Sequence, residues 1–166
     1  MHPLVQWGRL VGRSNPEETQ TSHVGWFDPA ELASLVAHLQ TETLVRESIY
    51  AAFWVGGSGQ ELPQSNVLRV EGLDYVVARS TLDELSDPDW GYSVELGWTE
   101  WWRSNSMQLL WPASRAWALE SGIDFDSTVV GGSARLINSI LADSRYEAYP
   151  VPAGADLSWE GDTQNA

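Results

Sequence analysis

Residues 67–80 read VLRVEGLDYVVARS. Two runs of strand-forming residues, Val67–Glu71 and Tyr75–Arg79, flank a short turn at Gly72–Asp74. The pattern predicts a β-hairpin, and therefore antiparallel pairing. The segment upstream, Ser48–Val55 (SIYAAFWV), is continuously apolar, as a strand buried on both faces would be. Gly56, Gly57, Ser58 and Gly59 end it. A helix is expected before it, from about Asp28 to Thr41. Asp28 suits the N-cap, Pro29 the first helical position, and Glu31 lies three after the cap. Leu32, Leu35, Val36 and Leu39 then recur at i, i+3, i+4 and i+7, which is one apolar face.

Downstream of the hairpin, Ser80 is expected to cap a short helix, Thr81–Leu85. Residues 86–106 follow as a long connection with few regular signals, and loops of that length are commonly functional or mobile. Gln108–Trp111 and Arg115–Leu119 read as strands broken at Pro112. Ser127–Val130 reads as a further strand. Gly131 and Gly132 lead into a helix capped by Ser133 and running to about Ala142, with Leu136, Ile137, Ile140 and Leu141 inward. Glu147–Val151 adds a final strand, so Ser127–Val151 resembles a strand–helix–strand unit. The expected fold is α+β: a mainly antiparallel sheet of about 5–7 strands with two main helices packed on it. Residues 1–22 are expected as an irregular arm, 23–151 as the single domain and 152–166 as a frayed acidic tail.

Composition narrows the chemistry. The chain has 166 residues, one domain's worth, and no Cys. Thiol nucleophiles, disulfides and thiolate metal sites are therefore excluded. All nine basic residues are Arg, which excludes a Walker lysine and a Schiff base. A formal net charge of -14 disfavours nucleic acid and anionic membranes as partners. It is compatible with simple solubility, or with a partner that has a basic surface. The N-terminus MHPLVQWGRL has no basic segment followed by an apolar stretch, so no secretory leader is expected. The longest apolar run, near Ile49–Val55, is far short of the ~20 residues of a membrane span. The expectation is a cytoplasmic protein.

Three blocks carry a resemblance: YAAFWVGGSG at 50–59, LRVEGLDYVV at 68–77 and LLWPASRAWALESGIDFDSTVVGGSARLINSILADSRYEAYPV at 109–151. Over roughly residues 24–150 the chain resembles a family of uncharacterised actinobacterial proteins, and the resemblance implies kinship without an activity. In that family's pattern an acidic residue follows the Trp of the first block; Val55 stands there here. The third block usually reads W-P-x-D-R and later E-I-D; Ser114 and Gly122 stand in place of its Asp and Glu. A metal or acid/base site built on those acids would be largely lost in this chain, which the resemblance counts against catalysis.

The candidate sites each have two readings. Asp124 and Asp126, with Glu120 nearby, would share one face of a strand and could serve a metal-dependent hydrolase. They equally suit a turn whose Asp side chains accept backbone N–H groups. Gly131, Gly132 and Ser133, with Arg135 in the first helical turn, could cradle an anion, or simply cap the helix. His2, His23 and His38 are the only histidines, and His38 falls at the edge of the first helix's apolar face. No metal-ligand spacing, GxSxG elbow or glycine-rich phosphate motif is present. No cofactor or metal is expected.

The ten tryptophans are the most unusual feature, and six lie between Trp90 and Trp117. Trp54, Trp111 and Trp117 occur in strand-like runs and are expected in the core. Trp98, Trp101 and Trp102, beside Arg103 in a charged segment, are the candidate binding residues. The leading expectation is a non-enzymatic binding protein, such as an immunity-type or regulatory inhibitor of a basic partner. A homo-oligomer is a second use of an exposed Trp cluster. The alternatives are the carboxylate hydrolase and a small-molecule or glycan-binding domain using the Trp cluster.

Overall fold

The computed structural model of the chain describes residues 4, 6, 24–56, 67–93 and 107–164. Six strands form one sheet: β1 (Ile49–Trp54), β2 (Val67–Val70), β3 (Leu73–Ser80), β4 (Met107–Pro112), β5 (Ala118–Glu120) and β6 (Val129–Gly131). Their order is β2-β3-β1-β4-β5-β6, and every neighbouring pair is antiparallel. Among the described residues, four α-helices accompany it: α1 (Pro29–Leu39), α2 (Leu82–Leu85), α3 (Trp90–Ser93) and α4 (Ala134–Leu141). The α+β class and the strand number are those expected from the sequence. No helix among the described residues is long and apolar enough to cross a membrane.

The hairpin forms as predicted, with a tighter turn. Val67 faces Val76 and Val70 faces Leu73. Only Glu71 and Gly72 remain between the strands, both left-handed at φ 51° and 86°. Two left-handed central residues match the right-handed twist of the flanking strands. Gly72 adopts this freely, whereas Glu71 gives up about 1–2 kcal/mol.

β1 lies between β3 and β4, and alternation along it separates the sheet's two faces. Ile49, Ala51 and Phe53 point to the inner face, opposite Ala78 and Val76 of β3 and Leu110 and Met107 of β4. Leu32, Leu35, Val36 and Leu39 of α1 and Leu136 and Ile140 of α4 pack there, with Leu119 and Trp117. Leu82 and Leu85 of α2 and Trp90 of α3 extend this core. Each fully buried aliphatic side chain contributes about 1.5–3 kcal/mol. The outer face carries Tyr50, Ala52 and Trp54 on β1, Trp111 and Leu109 on β4, and Tyr75 and Val77 on β3. Tyr50 and Trp111 stack there, ring centroids 5.8 Å apart. Of the three tryptophans expected in the core, Trp117 is in it at 2% exposure, and its Nε1–H donates to Thr43 Oγ1 at 2.8 Å. Trp54 and Trp111 are half-buried on the opposite face.

The boundaries that moved did so for local reasons. Thr81, not Ser80, caps α2: its hydroxyl accepts the Glu84 N–H while the Glu84 carboxylate accepts the Thr81 N–H. Arg115 turns left-handed at φ 58°, its N–H donating to the Pro112 carbonyl, so β5 starts only at Ala118. Residues 147–151 form no strand, and Pro150 and Pro152 lack the N–H a ladder needs. β6 instead pairs antiparallel with β5 at the sheet edge, so no parallel unit forms. Residues 152–164, expected to fray, carry a 3-10 turn at Trp159–Gly161. Asp162, fully buried, accepts the backbone N–H of Gln6 at 3.0 Å, and Gln6 Nε2 donates to the Leu157 carbonyl at 3.1 Å.

Candidate functional site

Trp98, Trp101, Trp102 and Arg103 lie outside the described residues, as do His2, His23 and residues 57–60. The remaining candidates have definite places.

The carboxylate group occupies a turn. The Phe125 N–H donates to the Gly122 carbonyl at 3.0 Å, and Gly25 clamps the turn by donating its N–H to the Phe125 carbonyl at 2.9 Å. Gly25 has φ 70°, and a Cβ there would lie 2.6 Å from the Ile123 carbonyl oxygen, so both conformation and space demand glycine. The segment is a turn and not the strand that would have aligned Asp124 with Asp126. Asp124 is exposed and Asp126 is buried at 7% exposure. Glu120 is exposed on the outer face of β5, opposite Leu109 and Val129. Among the described residues no three His, Asp or Glu side chains are grouped to hold a metal ion.

The junction at Gly131, Gly132 and Ser133 does receive an anion, and it is the chain's own Glu42. Ser133 Oγ accepts the Leu136 N–H and donates to Glu42 Oε1 at 2.7 Å. Arg135 Nε donates to the same oxygen at 3.0 Å, and its NH2 donates to the Thr41 carbonyl at 2.7 Å. Ser133 and then Arg135 hold the Glu42 carboxyl below its usual range. Gly132 has a packing role, since a Cβ would come 2.8 Å from Leu136 Cδ2.

A second polar group went unrecognised in the sequence. His38 on α1 has Nδ1 at 2.9 Å from Ser139 Oγ on α4 and Nε2 at 2.9 Å from Asp143 Oδ2. Arg145 binds Asp143 through Nε and NH2, and Arg145, then His38, hold that carboxyl well below its usual range. A carboxylate only accepts, so Nε2 carries a proton. The residue types are those of a serine hydrolase, but Ser139 Oγ also donates to the Leu136 carbonyl at 2.8 Å, one turn back in its own helix. With Ser34 Oγ and Tyr146 OH 2.6 Å apart, the group ties α1 to α4 and the segment after it. Its members are 101 and 105 residues apart in the chain, and no local motif announces them.

The other unanticipated feature is a turn at residues 44–47. Leu44 and Val45 are 73% and 94% exposed. The Glu47 N–H donates to the Leu44 carbonyl at 3.0 Å, and Glu47 Oε2 accepts the Leu44 N–H at 2.9 Å. The other Glu47 oxygen accepts the backbone N–H of Ser114. Ser114 and then the Leu44 amide lower the Glu47 pKa. Arg46 is left-handed at φ 61°. The turn is therefore fixed from both sides while its two aliphatic side chains face water.

Comparison with protein-family models, with curated proteins and with solved structures finds no match for this chain.

Proposed function

We propose that the protein is a non-enzymatic cytoplasmic binding protein that docks another protein through the Leu44–Val45 turn. The observation that carries this reading is an exposed aliphatic pair on a backbone that is already ordered. Two adjacent aliphatic side chains gain nothing from burial in this fold, and an ordered turn adds little entropy loss on association. The turn lies beside that of Pro112–Arg115, joined to it by Glu47 and by the Ala113 N–H to Ser48 carbonyl bond. The tip joins Leu44 and Val45 to Arg46, and the cores of interfaces are apolar, with Arg enriched and Lys and Glu depleted.

The chemistry of the other sites supports the same class. Asp124 and Glu120 are exposed while Asp126 is buried, the Ser133 junction is filled by Glu42, and Ser139 is tied to its own helix. An immunity-type or regulatory inhibitor is one concrete form of such a protein.

A photo-crosslinking side chain at position 45, compared with one at exposed Glu147, tests the reading in cells that make the protein. The expected result is one discrete adduct from position 45, competed away by unlabelled protein and absent from position 147. Equal, diffuse labelling from both positions would overturn it.

A further inference from the structure

We infer that the surface received by the Leu44–Val45 turn is an apolar pocket on a basic protein. The inference rests on the docking reading above and adds the chemistry of the partner. It follows from strand order together with charge. Three segments meet at one end of the sheet, because Ile49 at the start of β1 faces both Ser80 at the end of β3 and Pro112 at the end of β4. The segment entering β1 holds Leu44 and Val45. The segment leaving β3 is α2 and the turn after it, with Asp83, Glu84, Asp87 and Asp89 all exposed. The segment leaving β4 holds Ser114 and Arg115.

Among the described residues none of these four carboxylates is in an ion pair with Arg or His. The Glu84 carboxylate closes the capping box and the Asp87 carboxylate accepts the Asp89 N–H, and both bonds leave the charge in place. Glu42 and Glu47, the acids nearest the tip, are turned to Arg135 and to backbone amides. Arg46, Arg79 and Arg115 oppose these four acids and Glu47, so this end keeps a small negative excess in a chain of net charge -14. A negative field of this kind speeds the approach of a basic surface, and the aliphatic tip supplies the contact that charge alone does not hold. An acidic partner would be repelled at long range. A second copy of the chain would bring two such charges together and is disfavoured on the same ground.

The test uses the full chain and two synthetic amphipathic helical peptides of equal length and identical apolar face. One has a lysine polar face and the other a glutamate polar face. Amide NMR of the labelled protein reports where each binds. The lysine peptide is expected to shift residues 44–47 and 83–89 together, with an affinity that falls as salt is raised. Leu44→Ser with Val45→Ser, both at exposed positions, is expected to weaken it about tenfold. Asp83→Asn with Asp87→Asn and Asp89→Asn is expected to lower the association rate and its salt dependence. If the glutamate peptide binds the tip equally well, the basic-partner inference fails while the docking turn stands. If the lysine peptide shifts acidic residues throughout the chain and ignores the serine substitutions, the docking turn fails as well.

Discussion

Replacing Gln108 by Met keeps the length of the side chain and removes both polar ends. Gln108 is the extra residue where the β1–β4 register slips: Ala52 faces Leu109 and Phe53 faces Met107. A bulge leaves a backbone group without its ladder partner. Here the side chain, 4% exposed, takes over, with Oε1 accepting the Trp54 N–H at 2.9 Å. Nε2 donates to the Gly25 carbonyl at 3.3 Å, joining the sheet to the segment that clamps the Asp124 turn. Stranding the Trp54 N–H costs about 1–3 kcal/mol, and loss of the longer Gly25 bond adds about 0.5–1 kcal/mol. The expected total is ~2–4 kcal/mol. At about 2–4 °C per kcal/mol for a chain of this size, the melting temperature falls by roughly 5–15 °C. Urea unfolding followed by fluorescence measures the free energy, and hydrogen exchange reads the Trp54 amide, which becomes less protected. A loss below ~0.5 kcal/mol with Trp54 protection unchanged would refute the account, because it would mean that the bulge needs no side-chain partner.

Asp28→Ala removes the acceptor of the Ala30 N–H at 2.7 Å and is expected to destabilise the fold by about 0.5–2 kcal/mol in denaturant titrations, with exchange quickened in the first turn of α1. No measurable loss would show that the cap is replaceable by water. The acid limb of stability depends on Asp143, whose carboxyl is held low by Arg145 first and then by His38. A depressed folded-state pKa stabilises fully above the unfolded value of about 3.9 and is lost as pH falls through the folded value. Arg145→Gln raises the folded pKa, so acid unfolding should begin at higher pH than in the wild type. Coincident acid-unfolding curves, with an unchanged NMR titration of the Asp143 carboxyl, would count against the bridge.

Much of the architecture can be read from short stretches of sequence. Asp28, Pro29 and the spacing of Leu32, Leu35, Val36 and Leu39 place α1 because a helix start and an apolar face are properties of neighbouring residues. The hairpin follows from two strand-forming runs around Gly72, and the antiparallel α+β class follows from the hairpin. The misreadings are equally physical. Trp54 and Trp111 are as apolar as Trp117, and only the pleat and the position of the helices decide which face each one joins. Glu147–Val151 has a strand-like composition, but the prolines around it deny it a ladder.

The sequence by itself determined most of the elements, the antiparallel hairpin, the absence of thiol and lysine chemistry, and a net charge of -14. These depend on residue type and on spacings of a few positions, which the chain carries into any fold. Tertiary structure alone decided the sites. Glu42 lies 91 residues from Ser133, and His38 lies 105 from Asp143. Ser114 reaches Glu47 across 67 residues to fix the exposed Leu44–Val45 turn. Contacts between residues so far apart depend on how α1 and α4 pack on the inner face and how β1 sits between β3 and β4. A side chain's sequence neighbours do not encode which distant partner that packing will bring to it.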